Sequence, residues 1–159
     1  MTHDRFAKRL KLVIIGTTLI GILICIFLIP FMGNYMVERY PEYAYAKLPW
    51  MIFIYISGIP CFMAMGISWK ITTNIGLDNS FCMENAKLFN TFSKLAIVDT
   101  VFFLVVSVVF ELVGLNHPGI LLFSFLIVFF GLAVYVCTSA LSYLISKASV
   151  LQEDSDLTI

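Results

Sequence analysis

The chain has 159 residues, 60% hydrophobic and 13% charged, where a soluble domain averages roughly 45–50% and about 25%. Ten basic and ten acidic side chains cancel, so no basic field recruits nucleic acid and direct nucleic-acid binding is excluded. With a mean hydropathy of +0.96, the composition is that of an integral membrane protein.

A basic segment opens the chain: Arg5, Lys8, Arg9 and Lys11 against Asp4. An uncharged run over 12–31 follows. About 20 residues rising about 1.5 Å each cross a hydrocarbon core of about 30 Å, so this run predicts a first span. It exceeds the apolar core of a signal peptide, and Ala44-Tyr45-Ala46 lies too far beyond it to serve as a cleavage site; a retained helix is expected. Pro30 falls near its end, where a proline costs little. The next segment carries Tyr35, Tyr40, Tyr43, Tyr45 and Trp50, rings that favour a membrane–water interface. A second span is predicted over 48–69, with Pro49 in its first turn and Pro60 as a mid-helix kink. Trp69 and Lys70 mark its far interface.

The longest polar stretch runs from Asp78 to Asp99. Asp78, Asn79 and Ser80 are helix-capping types, with Glu84 suited to the first turn. Phe81, Leu88, Phe89, Phe92, Leu95 and Ala96 recur at helical spacing, which predicts a cytoplasmic amphipathic segment over 80–94. It leads into a third span over 95–115. Asn116-His117-Pro118-Gly119 is a tight turn, and a fourth span is predicted over 120–145. In that span Thr138, Ser142 and Ser146, with Ala133 and Cys137, suggest a seam of small residues for helix packing. The tail 147–159 is polar and acidic, ending in an extended Leu157-Thr158-Ile159.

Counting basic residues sets the expected orientation. With both termini inside, inner segments hold Arg5, Lys8, Arg9, Lys11, Lys70, Lys87, Lys94 and Lys147, and outer loops only Arg39 and Lys47. The fold class predicted is therefore an all-α integral membrane protein: a single domain, a four-helix transmembrane bundle with N and C termini cytoplasmic.

Few residues offer chemistry. Asp99 and Glu111 are acids within a span, where a charge costs at least about 2.5 kcal/mol at mid-helix. They stand about 18 Å apart along the axis, too far to share a proton. Each is expected to be satisfied near its own interface, Asp99 by Lys70 or Lys147 and Glu111 near His117. Cys25, Cys61, Cys82 and Cys137 are widely spaced and read as reduced apolar residues. Two separated histidines make neither a metal site nor a catalytic triad, so no cofactor, metal or enzyme activity is expected.

The block Phe81-Cys82-Met83-Glu84-Asn85-Ala86-Lys87-Leu88 and the end Leu151-Gln152-Glu153-Asp154-Ser155-Asp156-Leu157-Thr158-Ile159 resemble two signatures of a bacterial family of small four-span membrane proteins, the domain of unknown function 2975. The layout of the whole chain agrees. The resemblance implies a protein of the bacterial cytoplasmic membrane that works with a cytoplasmic helix-turn-helix regulator. Partner-binding residues expected on these blocks are Phe81, Glu84, Asn85, Lys87, Asp156, Leu157, Thr158 and Ile159. The alternative expectation is a small transporter or channel, built as a homo-oligomer, with Asp99 and Glu111 along its path.

Overall fold

A computed structural model describes residues 3–157. In chain order it contains α1 (His3–Leu23), a π-helical turn (Ile24–Leu28), α2 (Ile29–Arg39), a 3-10 turn (Pro41–Ala46), α3 (Lys47–Gly76), α4 (Met83–Leu112) and α5 (Pro118–Leu157). There is no strand among the described residues. Four stretches are long and apolar enough to cross a membrane: Arg5–Arg39, Pro41–Gly76, Met83–Leu112 and Gly119–Glu153. The all-α, four-span architecture expected from the sequence is the one observed. Ala7 packs on Gly76 at the close of α3, and Ser146 of α5 reaches Met83 at the start of α4. The start of α1 and the C-terminal part of α5 therefore lie at one end of the molecule, and the α4–α5 turn at the other, here called the hairpin end.

The helices overrun the apolar runs. α1 starts inside the basic segment, and Lys11 lies over the Trp69 ring, 5.1 Å from its centroid. Pro30 does not close the first span; the chain stays helical to Arg39. How it does so is visible one turn earlier. The Ile29 N–H bonds the Ile24 carbonyl, five residues back. The next bond of that register would join residue 30 to the Cys25 carbonyl, and proline has no N–H to give. Tyr55 of α3 donates its hydroxyl to that carbonyl at 2.9 Å. An unmet carbonyl in hydrocarbon costs several kcal/mol, so this tyrosine is what lets the proline sit inside a span. Pro60 likewise lies within α3, which continues through it.

The close approaches between helices follow chain order: α1 and α2 on α3, α3 on α4, α4 on α5. Between α3 and α4, Trp50 and Phe53 meet Phe110 edge-on near the hairpin end, with ring centroids 5.2 and 5.6 Å away. The accessible surface of 10692 Å² exceeds the about 8,000 Å² of a water-soluble chain of this mass. Buried polar residues outnumber buried apolar ones among the described residues, while leucine, isoleucine and phenylalanine crowd the exterior. That inversion suits a solvent of lipid tails, which are as apolar as the side chains they touch.

α4 and α5 make the most intimate pair. On α4, Ala86, Ser93, Thr100 and Ser107 recur every seven residues and all are buried. On α5, Ser124 and Thr138 are buried with Gly131 midway. A Cβ on Gly131 would collide with the Thr100 side chain. Seven-residue steps in opposite directions from that contact set Ser107 opposite Ser124 and Ser93 opposite Thr138. A seven-residue repeat gives the shallow left-handed crossing of a coiled coil. Ser142 adds a bond to the Ala86 carbonyl at 2.8 Å. The predicted seam is thus right in Thr138, Ser142 and Ser146, but Ala133 and Cys137 are exposed and lie off it.

Gly131→Ala should destabilise the protein by about 1–3 kcal/mol through overpacking, with partial recovery on adding Thr100→Ala, both read by denaturant titration in mild detergent. Tyr55→Phe removes the partner of the Cys25 carbonyl and should cost about 1–3 kcal/mol in the same assay.

Candidate functional site

The α3–α4 turn carries the polar block, and its residues divide between those that build it and those it displays. Asp78 stands at a positive φ of 61°, and the Asn79 N–H returns to the Asn74 carbonyl at 3.0 Å. This is the left-handed closure of a helix C-terminus. Asp78 and Asn79 therefore finish α3 and do not cap α4, because the residue types that open helices also tolerate the left-handed closing position. The cap of α4 is Cys82, whose Sγ accepts the Asn85 N–H at 3.4 Å.

Asn85 organises the turn from inside. It is 1% exposed. Its Nδ2 donates to the carbonyls of Ser80 at 3.0 Å and Asn79 at 3.3 Å, and its Oδ1 accepts from Asn74 Nδ2 at 2.9 Å. Its amide is thus spent within the turn, away from any surface a partner could touch. Asn74 Nδ2 also approaches Glu84 Oε2 at 3.3 Å. Phe81, Glu84 and Lys87 are exposed; Phe81 shows 58% of its surface and Leu77, beside it on the turn, 74%. Asp156 and Leu157 close α5, so Leu157 is helical where the sequence suggested the start of an extended end. Thr158 and Ile159 lie outside the described residues.

The acids are kept apart. Asp99 accepts a hydrogen bond from Ser57 Oγ of α3 at 2.8 Å, in place of the lysines expected beside it. Cys25 and Cys61 are free thiols, and Asp99 and Cys25 lie within electrostatic reach of Cys61. Glu111 sits three turns further on, with a buried Oε2 that has no hydrogen-bond partner. His117 does not pair with it: its Nδ1 accepts the Gly119 N–H at 3.1 Å. Among the described residues no three His, Cys, Asp or Glu side chains gather to hold a metal.

The tyrosine-rich connection also does more than sit at an interface. Tyr45 donates to the Gly114 carbonyl at 2.7 Å and Trp50 Nε1 to the Leu115 carbonyl at 2.9 Å. Both carbonyls belong to the turn that ends α4, where Gly114 adopts φ 73°. The sequence read these rings only as interface residues, because their carbonyl partners lie 65 and 69 residues away.

Fold and site together define a small polytopic membrane protein, with its polar, patterned surface at the end that holds the start of α1 and the C-terminal part of α5. The chain belongs to the family described as "Protein of unknown function (DUF2975)", whose profile matches residues 31–159. It is 27% identical over 153 residues to the uncharacterized membrane protein YoaS of Bacillus subtilis (strain 168), covering 95% of this chain and 94% of that one. No solved structure matches.

Asn85→Ala should take the side-chain donor from the Asn79 and Ser80 carbonyls and cost about 1–3 kcal/mol, with faster amide exchange over residues 77–86. Lys87→Ala, on the exposed face, should change neither.

Proposed function

We propose that the protein is a regulatory, non-enzymatic membrane protein of the bacterial cytoplasmic membrane, with both termini in the cytoplasm. Its task is to hold or release a cytoplasmic partner, a helix-turn-helix regulator, on the surface around Phe81, Glu84 and Lys87 and the end of α5. The observation that carries this reading is the exposure of Leu77 and Phe81, at 74% and 58%, on a turn that Asn85 holds rigid. These residues lie between Lys70 and Lys87, on the side that the charge rule assigns to the cytoplasm. Exposed aromatic and aliphatic side chains beside charged ones are what a protein interface uses. A fixed backbone lowers the ordering cost of binding.

A second reading, a homo-oligomeric transporter or channel, is favoured by Asp99, an acid inside an apolar helix with Ser57 as its partner. Because, among the described residues, α5 approaches α4 most closely and α1 approaches α3, a path of this kind would be closed by further copies of the chain.

Co-purification in mild detergent separates the two. Full-length protein should retain a DNA-binding protein. Phe81→Ala, Glu84→Lys or truncation after Val150 should lower that retention at least about tenfold, the scale of losing one well-buried contact, with membrane insertion unchanged. Equal retention by all forms sinks the docking reading. Proton or cation flux in vesicles that disappears with Asp99→Asn would establish the second.

A further inference from the structure

Most buried hydroxyls in this protein bond the carbonyl three or four residues back, as Thr72, Ser93, Thr100, Ser124, Thr138 and Ser149 do. Ser107 breaks the pattern. It is 0% exposed, and its Oγ has no partner. Two further buried polar atoms are unpartnered among the described residues, Glu111 Oε2 and Asn116 Nδ2, the latter on a residue 6% exposed. All three fall at the hairpin end of the α4–α5 seam. Ser107 and Glu111 are one turn apart on α4, and the register of Thr100 against Gly131 sets residue 120 level with Glu111 and residue 116 about one turn beyond it. The chain reverses at Gly114, through bonds from Gly114 to Glu111 and from Leu115 to Phe110, which brings Asn116 back over the end of α4.

We infer that Ser107, Glu111 and Asn116 line a polar site at the hairpin end that is filled by ordered water in exchange with the adjoining aqueous face. Spacing is the first argument. One helical turn is about 5.4 Å, too long for a direct hydrogen bond and about the span of two bonds through one water. Matching of donors and acceptors is the second. Asn116 Oδ1 is held by the His117 N–H at 2.9 Å, so what its amide has left to offer is the buried Nδ2, a donor. That donor disfavours a metal cation there. Water accepts from the amide, donates to the carboxyl and does either with the hydroxyl. The alternative is the third, since each buried group left unsatisfied would give up its bonds to water with nothing in exchange. The site stops at Ser107, because one heptad deeper Thr100 bonds Ala96 at 2.6 Å and abuts Gly131. It is an inlet, not a passage, and is independent of the docking surface at the other end.

Cysteine reactivity tests this in the full chain in lipid nanodiscs, because a thiol must ionise in water to react. Cys25, Cys61 and Cys137 are replaced by alanine, and Cys82 by serine to keep its cap. Ser107→Cys should react with a small charged methanethiosulfonate at least about tenfold faster than Val109→Cys, which is closer to the hairpin end but exposed on the lipid side. Equal or slower reaction of Ser107→Cys overturns the inference. Hydroxyl-radical labelling of the unsubstituted protein reads the same site without a variant: decarboxylation of Glu111 well above that of Asp99 is expected, and none at Glu111 overturns it.

Discussion

The contact of Thr100 with Gly131 is the constraint on which the rest of the arrangement depends. Lipid tails offer leucine as good a surrounding as another helix does, so apolar side chains alone do not drive helices together in a membrane. What draws α4 to α5 is the removal of side chains from the seam. Serine, threonine, alanine and glycine at seven-residue spacing let the backbones approach until Ser142 reaches the carbonyl of Ala86. Once that register is set, everything at either end of α4 has its place. Ser146 meets Met83 at the terminal end, and Asn116 and His117 fold over α4 at the other.

A second constraint runs through the structure: backbone groups that the helices cannot satisfy are met by side chains from elsewhere. Pro30 frees the Cys25 carbonyl, and Tyr55 takes it. The end of α4 frees Gly114 and Leu115, and Tyr45 and Trp50 take those. The α3–α4 turn frees Asn79 and Ser80, and Asn85 takes both. Most buried hydroxyls are spent on carbonyls of their own helices, which is why so few polar side chains remain for chemistry. The constraint also accounts for the length of α1–α2, which carries Pro30 without stopping. A helix in hydrocarbon can break a bond only where a neighbour supplies the substitute.

The four spans were legible because membrane insertion is governed by length and composition, and both are one-dimensional properties. Capping was less so. Asp78-Asn79-Ser80 reads equally well as the end of one helix or the start of the next, and only the left-handed φ of Asp78 decides. The α4–α5 repeat was hidden for a different reason. Its members are small and chemically mixed, and they stand among larger apolar residues that dominate any hydrophobic pattern. Asn85 was legible as special but not as buried: a polar residue in a polar block looks like surface, and only the positions of Asn74 and the turn carbonyls show that it faces inward. Asp99 paired with Ser57 rather than a lysine because a nearby hydroxyl satisfies a carboxyl within a span without carrying a second charge into it.

These two constraints together separate the two ends of the molecule. At the hairpin end the polar groups lie at the close of the α4–α5 seam, next to the turn that Tyr45 and Trp50 clamp, and the donors and acceptors they present suit water. At the terminal end the same economy leaves a different residue set. Asn85 is consumed in building the turn, and Phe81, Glu84 and Lys87, drawn from the same short block, are left outside. A motif in which one member fixes the backbone and its neighbours face outward is organised for display. The asparagine then matters to a partner without touching it, because it sets the spacing at which Phe81 and Glu84 are presented. Any surface that reads those two side chains reads the geometry Asn85 imposes.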